Sequence, residues 1–356
     1  MMTTLIVRSS RRSLSNPRHC CKSFHNENPV QNNEKNIRKT FHKNEEVKKI
    51  RGYILTRYMD YVKNYEKVIE KKFPTALHLY RTFKVGMKEF YRDLVLYMKI
   101  IRVLNLTTNG LKSLTLNEIE IYHKMPRDMI KVAPVLLLSA LPMTNYIIFP
   151  LAYFYPRQML CSHFWTIQQR SQFQIHYLRQ RLLNHRPTFR CMQAQLETLK
   201  EHRLYDDWAE VLGLVGSGVQ PSTEQIIHCK ELFECGPYQT ECLQGAHVKS
   251  LLRMHDLHKL HWFRRSRLRE HAKLLRAMDR AIIREHGLRG LSQESLKSAC
   301  FIRGLNPINM KHEDRIEWLD QWLEVSKEVD HNNLSLLLHC PILLGYNQPS
   351  NWLLIY

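Results

Sequence analysis

Hydrophobic residues recur every three or four positions over most of the chain, which is the period of amphipathic helices. One such stripe lies within residues 45–72, at Ile54, Tyr58, Val62, Tyr65 and Ile69. A second stripe follows Pro74, at Phe83, Met87, Phe90, Leu94, Tyr97 and Ile101. Lys99 and Arg102 lie within the second stripe, so we expect an amphipathic helix there rather than a membrane span. Residues 45–128 are therefore predicted to form amphipathic helices that pack on a core or lie on a membrane surface.

The carboxyl-terminal part shows the same period together with helix-terminating signals. Ser292 can cap a helix with Glu294 in its first turn, and Gly304 stands where a left-handed residue would end that helix. Further apolar stripes follow at Ile316, Leu319, Trp322 and Leu323 and at 334–338. Only 12 glycines and 14 prolines are present, which argues against an all-β protein. We predict an all-α fold with a helical soluble domain over 157–345 and a short tail over 346–356.

One uncharged stretch interrupts the amphipathic pattern. Residues 132–155 contain 24 amino acids and no charged side chain. As a helix they would span about 36 Å, enough for a hydrocarbon core of about 30 Å. They predict a single transmembrane helix bounded at 129–156, although a buried core helix is the alternative. Each of three evenly spaced prolines removes one backbone N–H and should kink this helix; they are Pro134, Pro142 and Pro150.

The formal net charge of +20 is concentrated towards the amino terminus, because residues 1–131 carry +15 of it. The first 25 residues contain five Lys or Arg side chains and five serines, and no acidic residue precedes Glu27. An Arg-rich, Ser-rich segment that lacks acids is typical of a mitochondrial transit peptide. We therefore predict a transit peptide within residues 1–44, with a disordered basic tail as the alternative.

A second concentration of charge lies at 249–289, where twelve Lys or Arg residues face four acidic ones. A cluster of this kind favours contacts with nucleic-acid phosphates, whereas a solvated helix surface is the simpler interpretation. The residues predicted to contact a ribosome or RNA are Arg264, Arg265, Arg267, Arg269, Lys273 and Arg276.

No pattern in the sequence predicts catalysis or a cofactor. There is no nucleophile elbow, P-loop, dinucleotide fingerprint or zincin helix, so we predict neither an enzyme nor a small-molecule substrate. Cys229, Cys235 and Cys242 do not have the spacing of a zinc ribbon. His255, His258 and His261 are three residues apart and would drift around a helix, so no metal site is predicted.

Several of these stretches resemble one family, the leucine-zipper/EF-hand transmembrane or LETM-type proteins. The uncharged stretch with its spaced prolines is similar to the membrane span of that family, and G-M-K-E-F-Y-R-D (86–93) and L-T-L-N-E (114–118) resemble its flank. L-K-S-A-C-F-I-R-G-L (296–305), D-R-I-E-W-L-D-Q-W-L (314–323) and L-S-L-L-L (334–338) resemble the end of its matrix domain. The residues that carry this last match are Ala299, Cys300, Arg303, Gly304, Leu305, Trp318, Leu319, Trp322 and Leu323.

The resemblance covers roughly residues 80–340 and is greatest to the short branch that lacks the EF-hand and the coiled coil. It implies an inner-membrane protein with its carboxyl-terminal domain in the matrix, although the lysines before the span would favour the opposite orientation. It also implies binding to the mitochondrial ribosome, support of inner-membrane protein biogenesis and mitochondrial structure, and a part in cation homeostasis. The alternative function is an oligomeric K⁺/H⁺ or Ca²⁺/H⁺ exchanger. Calcium sensing is not implied, because no EF-hand loop is present.

The segment at 296–323 also resembles the small SAP-type nucleic-acid module. A hydrophobic helical hairpin that packs on its own domain explains the same residues. The helical spacing of Trp318, Leu319, Trp322 and Leu323 places them on one apolar face and favours this second interpretation.

Overall fold

Helices supply the regular secondary structure of this computed structural model, which describes residues 56–57, 74–107, 110–139, 145–257, 262–285 and 287–355. No strand occurs in those ranges, which confirms the predicted all-α class. The predicted transit peptide at 1–44 lies outside the described residues. So does the stripe at 45–72, apart from Thr56 and Arg57.

The first long helix, α1, covers Pro74–Leu106. Proline suits the first helical position, because an N–H there would have no partner inside the helix. The predicted stripe of α1 faces a small core in which Phe90 is buried, together with Met125 and Phe164. Phe83, Met87, Leu94 and Tyr97 are partly buried against that core. The stripe of α1 thus packs within the protein over its described length.

Helix α2 covers Leu116–Ser139 and joins the basic amphipathic region to the uncharged stretch. Thr115 and Glu118 cap its start, because the Thr115 N–H donates to Glu118 Oε2 at 2.9 Å and the Glu118 N–H donates to Thr115 Oγ1 at 3.3 Å. The buried side chains along α2 keep a helical spacing without a break at 129; they are Ile119, Met125, Asp128, Val132 and Val135. The predicted start of the span at residue 129 therefore lies inside a longer helix.

The rest of the predicted span folds as further short helices. α3 covers Asn145–Phe154 and packs against α2, and α4 covers Pro156–Met159. Residues 140–144, with Pro142, lie outside the described part. Within the described helices, none combines the length and the apolar composition that crossing a bilayer requires. Of the prolines in the predicted span at 129–156, Pro134 lies inside α2 and Pro150 lies inside α3, and these two helices pack on each other.

Ten more helices form the body of the protein. They are α5 Ile167–Leu182, α6 His185–Leu196, α7 Tyr205–Ser217, α8 Thr223–His228, α9 Gly245–Met254, α10 Arg264–Glu285, α11 Gln293–Arg303, α12 His312–Lys327, α13 Ser335–Leu343 and α14 Pro349–Ile355. Helix α13 is buried along its whole length. Helix α10 packs against α2, α9, α12 and α13, so it is the central element of the body.

A buried ion pair fixes α10 to α11. Arg303 Nε donates to Asp279 Oδ1 at 3.0 Å, and both side chains are 1% exposed. The second oxygen of Asp279 accepts from Trp322 Nε1 at 3.1 Å and from the Ser326 hydroxyl. Gly304 ends α11 with φ +88°, as the sequence predicted, and Ser292 caps its start by accepting from the Ser295 N–H. The Arg-Gly pair of the family motif therefore has a structural role at the centre of the body.

Candidate nucleic-acid interface

The six basic residues predicted to contact RNA all lie on α10, but they do not form one free surface. Near its amino-terminal end, Arg265 donates to the Leu243 carbonyl at 2.8 Å and Arg267 donates to the Trp262 carbonyl at 2.8 Å. Arg269 forms an ion pair with Glu241. Arg264 begins the helix and is half-buried. Much of the densest basic run in the sequence is thus engaged in contacts within the chain.

The other side of α10 lines a groove of about 360 Å³ that we call the basic groove. Four of its residues follow one another along a single face of α10, at the three- and four-residue spacing that brings side chains together on a helix. Two more come from the turn before α2 and from the loop before α13. The basic side chains of the groove are Lys112, Lys273, Arg276, Arg280, Arg284 and His331, and its apolar floor is Leu111, Ala277 and Leu334.

The groove carries more positive than negative charge. Lys273 is 2.8 Å from Glu270 and Arg276 is 3.2 Å from Asp330, but Asp330 is itself largely exposed. Burial and the neighbouring Arg280 lower the pKa of Arg276, whereas Asp330 opposes them. The Nε atom of Arg276 is buried without a hydrogen-bond partner in the described part of the chain. An anionic group entering the groove would supply that partner and offset the repulsion between the two guanidinium groups.

Arg284 holds the edge of the groove in place. Its guanidinium donates to the backbone carbonyls of Lys112 and Leu114, which lie at the turn before α2. Glu285 accepts from the Leu116 N–H at 2.9 Å and ties the same turn to α10. The Lys112 side chain is thereby anchored beside α10 although 161 residues separate Lys112 from Lys273 in the sequence.

The predicted set and the observed groove overlap only at Lys273 and Arg276. Arg280 and Arg284 were missed, although their spacing from Arg276 along the helix was a signal that one face of α10 is basic. No signal in the sequence could join Lys112 and His331 to that face, since both depend on tertiary packing.

The family-motif residues lie in the core rather than on a contact surface. Trp322 and Leu319 are fully buried, and the buried Trp318 donates from Nε1 to the Leu344 carbonyl at 2.8 Å. Ala299, Cys300, Leu305 and Leu323 are buried with them. This burial agrees with the hydrophobic hairpin and leaves few of the motif side chains available for a SAP-type nucleic-acid contact.

The region around the span prolines presents apolar side chains to the outside. Pro134 and Pro150 are themselves exposed, and Pro142 lies outside the described residues. Leu137 is 73% exposed, Ile147 69% and Phe154 73%. Tyr153 and Tyr155 follow on the same segment and are also exposed. An apolar surface this extensive is unusual for a soluble domain and is typical of a partner or lipid contact.

The class of the protein follows from comparison with known families. The sequence model of the family described as LETM1-like, RBD matches residues 114–343. This range includes α2 and α3 (which we call the apolar helices), the buried ion pair, and all of the basic groove except Leu111 and Lys112. This chain belongs to that family, as its motifs indicated.

Individual relatives agree over most of the chain. The LETM1 domain-containing protein 1 of Xenopus tropicalis is 33% identical over 285 residues, which are 80% of this chain and 81% of the relative. The human protein of the same name is 28% identical over 306 residues, or 85% of this chain and 84% of the relative. The Bos taurus protein is 28% identical over 307 residues.

Proposed function

We propose that this protein is anchored to the mitochondrial inner membrane and binds the mitochondrial ribosome through the basic groove of α10. In this role it supports insertion of newly made inner-membrane proteins, and through them mitochondrial structure and cation homeostasis. The observation that carries the proposal is the row of Lys273, Arg276, Arg280 and Arg284 on one face of the central helix. The family description LETM1-like, RBD is consistent with it.

The shape and charge of the groove suit a phosphate backbone. Lys112, Lys273 and Arg280 can meet phosphates along a nucleic-acid strand. Arg284 is held by two backbone carbonyls and keeps the edge of the groove in place. The apolar floor at Leu111, Ala277 and Leu334 excludes water and strengthens those contacts. Binding by this mechanism loses affinity steeply as salt rises, because each neutralised phosphate releases counterions.

The apolar helices supply the membrane side of the proposal. Leu137, Ile147 and Phe154 would lose their exposed area in a lipid core, whereas Tyr153 and Tyr155 suit the headgroup region. Arg157 follows at the border, where a cation can reach the headgroups. We place the α5–α14 body on the matrix side, with the transit peptide directing import, and we allow a homo-oligomer in the membrane.

Sedimentation with purified mitochondrial ribosomes tests the ribosome arm. The full-length chain should pellet with ribosomes at low salt and be released as salt rises. The variant Lys273→Glu/Arg280→Glu should pellet at least tenfold less than the wild type, because it replaces two cations of the groove. The control Arg190→Glu/Lys297→Glu changes the same residue types and the same charge at exposed positions outside the groove. Equal loss in both variants would show that only net charge matters and would reject the groove.

Direct cation/proton exchange by an oligomer is the second candidate function. It is favoured by two acidic groups near the base of the apolar helices, Glu120 and Asp128, whose pKa values burial raises. It is opposed by the sequence of 132–155, which offers no ionisable side chain apart from tyrosines at membrane depth. Proteoliposomes that hold the purified chain and move potassium or calcium against a proton gradient would favour exchange over ribosome binding.

A further inference from the structure

A compact set of metal-type ligands lies where the apolar helices join the rest of the protein. Asp128 is on α2, and Cys161 and His163 are in the short connection between α4 and α5. Asp93, on α1, lies behind His163. Cys161 is fully buried and Asp128 and His163 are each 7% exposed. The basic groove does not include any of these residues.

The distances between the ligand atoms match those around a tetrahedral ion. Bond lengths of roughly 2.0–2.3 Å to nitrogen, oxygen and sulfur place neighbouring ligand atoms about 3.4–3.6 Å apart. His163 Nδ1 is 3.3 Å from Cys161 Sγ and 3.6 Å from Asp128 Oδ2. The three ligand atoms all lie within 4.8 Å of one another. Little movement would therefore be needed to enclose an ion.

The imidazole of His163 is held in the orientation that a ligand needs. Its Nε2 lies 3.0 Å from Asp93 Oδ2, so the Nε2–H donates to that carboxylate. The lone pair of Nδ1 then points towards Cys161 and Asp128. A carboxylate behind the distal nitrogen of a ligating histidine is the usual outer partner in zinc sites.

An unpartnered oxygen points independently to a missing ligand. Asp128 Oδ2 is buried without a hydrogen-bond partner among the described residues, since its distance to His163 Nδ1 exceeds a hydrogen bond. A buried acceptor left unpaired destabilises a protein. A bound cation would satisfy this oxygen, which lies between Cys161 of the small core and a cavity that Lys124 and Lys131 also line.

We propose that Asp128, Cys161 and His163 bind one Zn²⁺ ion, with Asp93 orienting His163. A set of one sulfur, one nitrogen and one oxygen suits this borderline ion, and the fourth position is left for water. Binding replaces the proton of the Cys161 thiol by the metal, so one proton is released to solvent for each ion bound. The ion joins α2 to the connection before α5, and Asp93 links α1 to the site through His163.

The Cys161 thiol is protonated in the metal-free chain, because burial and Asp128 raise its pKa to about 12. Sulfur and imidazole are already 3.3 Å apart, so the structure is also compatible with a plain S–H···N hydrogen bond. The experiment must therefore distinguish a zinc ion bound by Cys161 and His163 from a direct hydrogen bond between them.

Metal content and X-ray absorption of the full-length chain in detergent make this separation without any substitution. Wild-type protein loaded with zinc and dialysed should retain one ion per chain. The zinc absorption spectrum should show one sulfur neighbour together with imidazole and oxygen. A wild-type chain that retains no zinc, or a zinc environment without sulfur, overturns the proposal.

Variants then assign the ligands. Cys161→Ser and Asp128→Asn should lose the retained ion, and Asp93→Asn should weaken zinc binding by roughly 10–100-fold through the outer partner. Cys235→Ser is the matched control, since Cys235 is exposed and distant in sequence from the site. Helicity measured by circular dichroism checks that each variant folds. Full zinc retention in folded Asp128→Asn and Cys161→Ser chains contradicts the assignment.

Discussion

Two regions of the protein differ in how far their apolar residues are buried: the body that surrounds α10, and the pair of helices α2 and α3. The body buries most of them in one continuous core that includes the leucines of α13 and the side chains of Trp208, Trp318 and Trp322. The end of α2 and α3 turn Leu137, Ile147 and Phe154 outwards. The start of α2 joins the main core at Leu116 and Ile119, and its middle turns join the small core near Phe90. The body also exposes single apolar side chains such as Ile167 and Phe263, whereas the end of α2 and α3 expose a run of them together, which a lipid or protein partner would cover.

Because of this difference, we expect substitutions in the two regions to change different properties of the protein. Changes in the body should alter folding stability, and changes on the exposed face of the apolar pair should alter attachment with little effect on folding. Intermediate effects are expected at the junction, where α1 and the connection that carries His163 meet α2.

The largest effect is expected at the buried ion pair of the body. Asp279→Ala leaves the Arg303 guanidinium buried without its counter-charge and removes the acceptor of Trp322 and Ser326. We expect a loss of about 3–5 kcal/mol in the free energy of unfolding, measured by urea denaturation. The double variant Asp279→Leu/Arg303→Met should lose less than the two single changes together. Strict additivity would show that the two charges do not interact.

The next largest effect is expected when charged side chains are introduced on the exposed face of α2 and α3. Leu137→Asp/Phe154→Asp should release the protein from membranes under alkaline extraction, since each acidic group in lipid costs about 3 kcal/mol. Val219→Asp introduces a charge at an exposed apolar position of the body and should leave extraction unchanged. Release of Val219→Asp together with the pair variant would contradict the division between the two regions.

Folding stability at the junction of α1 with the connection that carries His163 should depend on Gly86 of α1. A Cβ at this position would overlap the His163 carbonyl oxygen and press on Phe164. Gly86→Ala should therefore lower the free energy of unfolding by about 1–3 kcal/mol. Gly213→Ala is the matched control, because it lies inside α7 with nothing near its Cβ, and it should be neutral or raise stability by up to about 1 kcal/mol. A stable Gly86→Ala chain would show that the connection is loosely held.

The smallest expected effect is a loss of folding stability in mild acid. Burial lowers the pKa of His339 to about 4, and burial with His339 nearby lowers the pKa of His247 to about 2. Unfolding returns both groups to an ordinary pKa of about 6.5, so the unfolded chain gains protons as pH falls below that value. The stability contributed by these neutral rings is present above pH 6.5 and falls below it, down to about pH 4 for His339 and about pH 2 for His247.

Urea midpoints between pH 7.5 and 5.5 measure this loss, which should be about 1 kcal/mol for each ring at pH 5.5. His339→Met should flatten the pH dependence by about one proton. His331→Gln, at an exposed histidine, should not. The same slope in all three proteins would place the acid sensitivity elsewhere.

The sequence predicted the features that depend on local chemistry. The helix caps at Ser292 and Gly304, the start of a helix at Pro74 and the all-α class follow from propensities within a few residues. The family motif was also readable, because Trp318 and Trp322 keep the spacing of one buried face.

Features that depend on long-range packing could not be read in this way. In the sequence Arg269 looks like an unpaired cation, but the fold places Glu241 beside it. Arg280 belongs to the basic groove because the fold brings Lys112 next to α10. Asp93, Asp128 and His163 come from three separate segments, so no spacing rule could have assembled them. The uncharged stretch fitted a single span by length alone, and the pairing of α2 with α3 is a tertiary feature.

Photo-crosslinking in intact mitochondria tests the central proposal most directly. A photoreactive residue in place of His331, at the rim of the basic groove, should crosslink to a component of the mitochondrial ribosome. The same residue in place of Lys297, exposed on α11 outside the groove, should not. Ribosomal crosslinks from 297 and none from 331 would contradict binding through the groove.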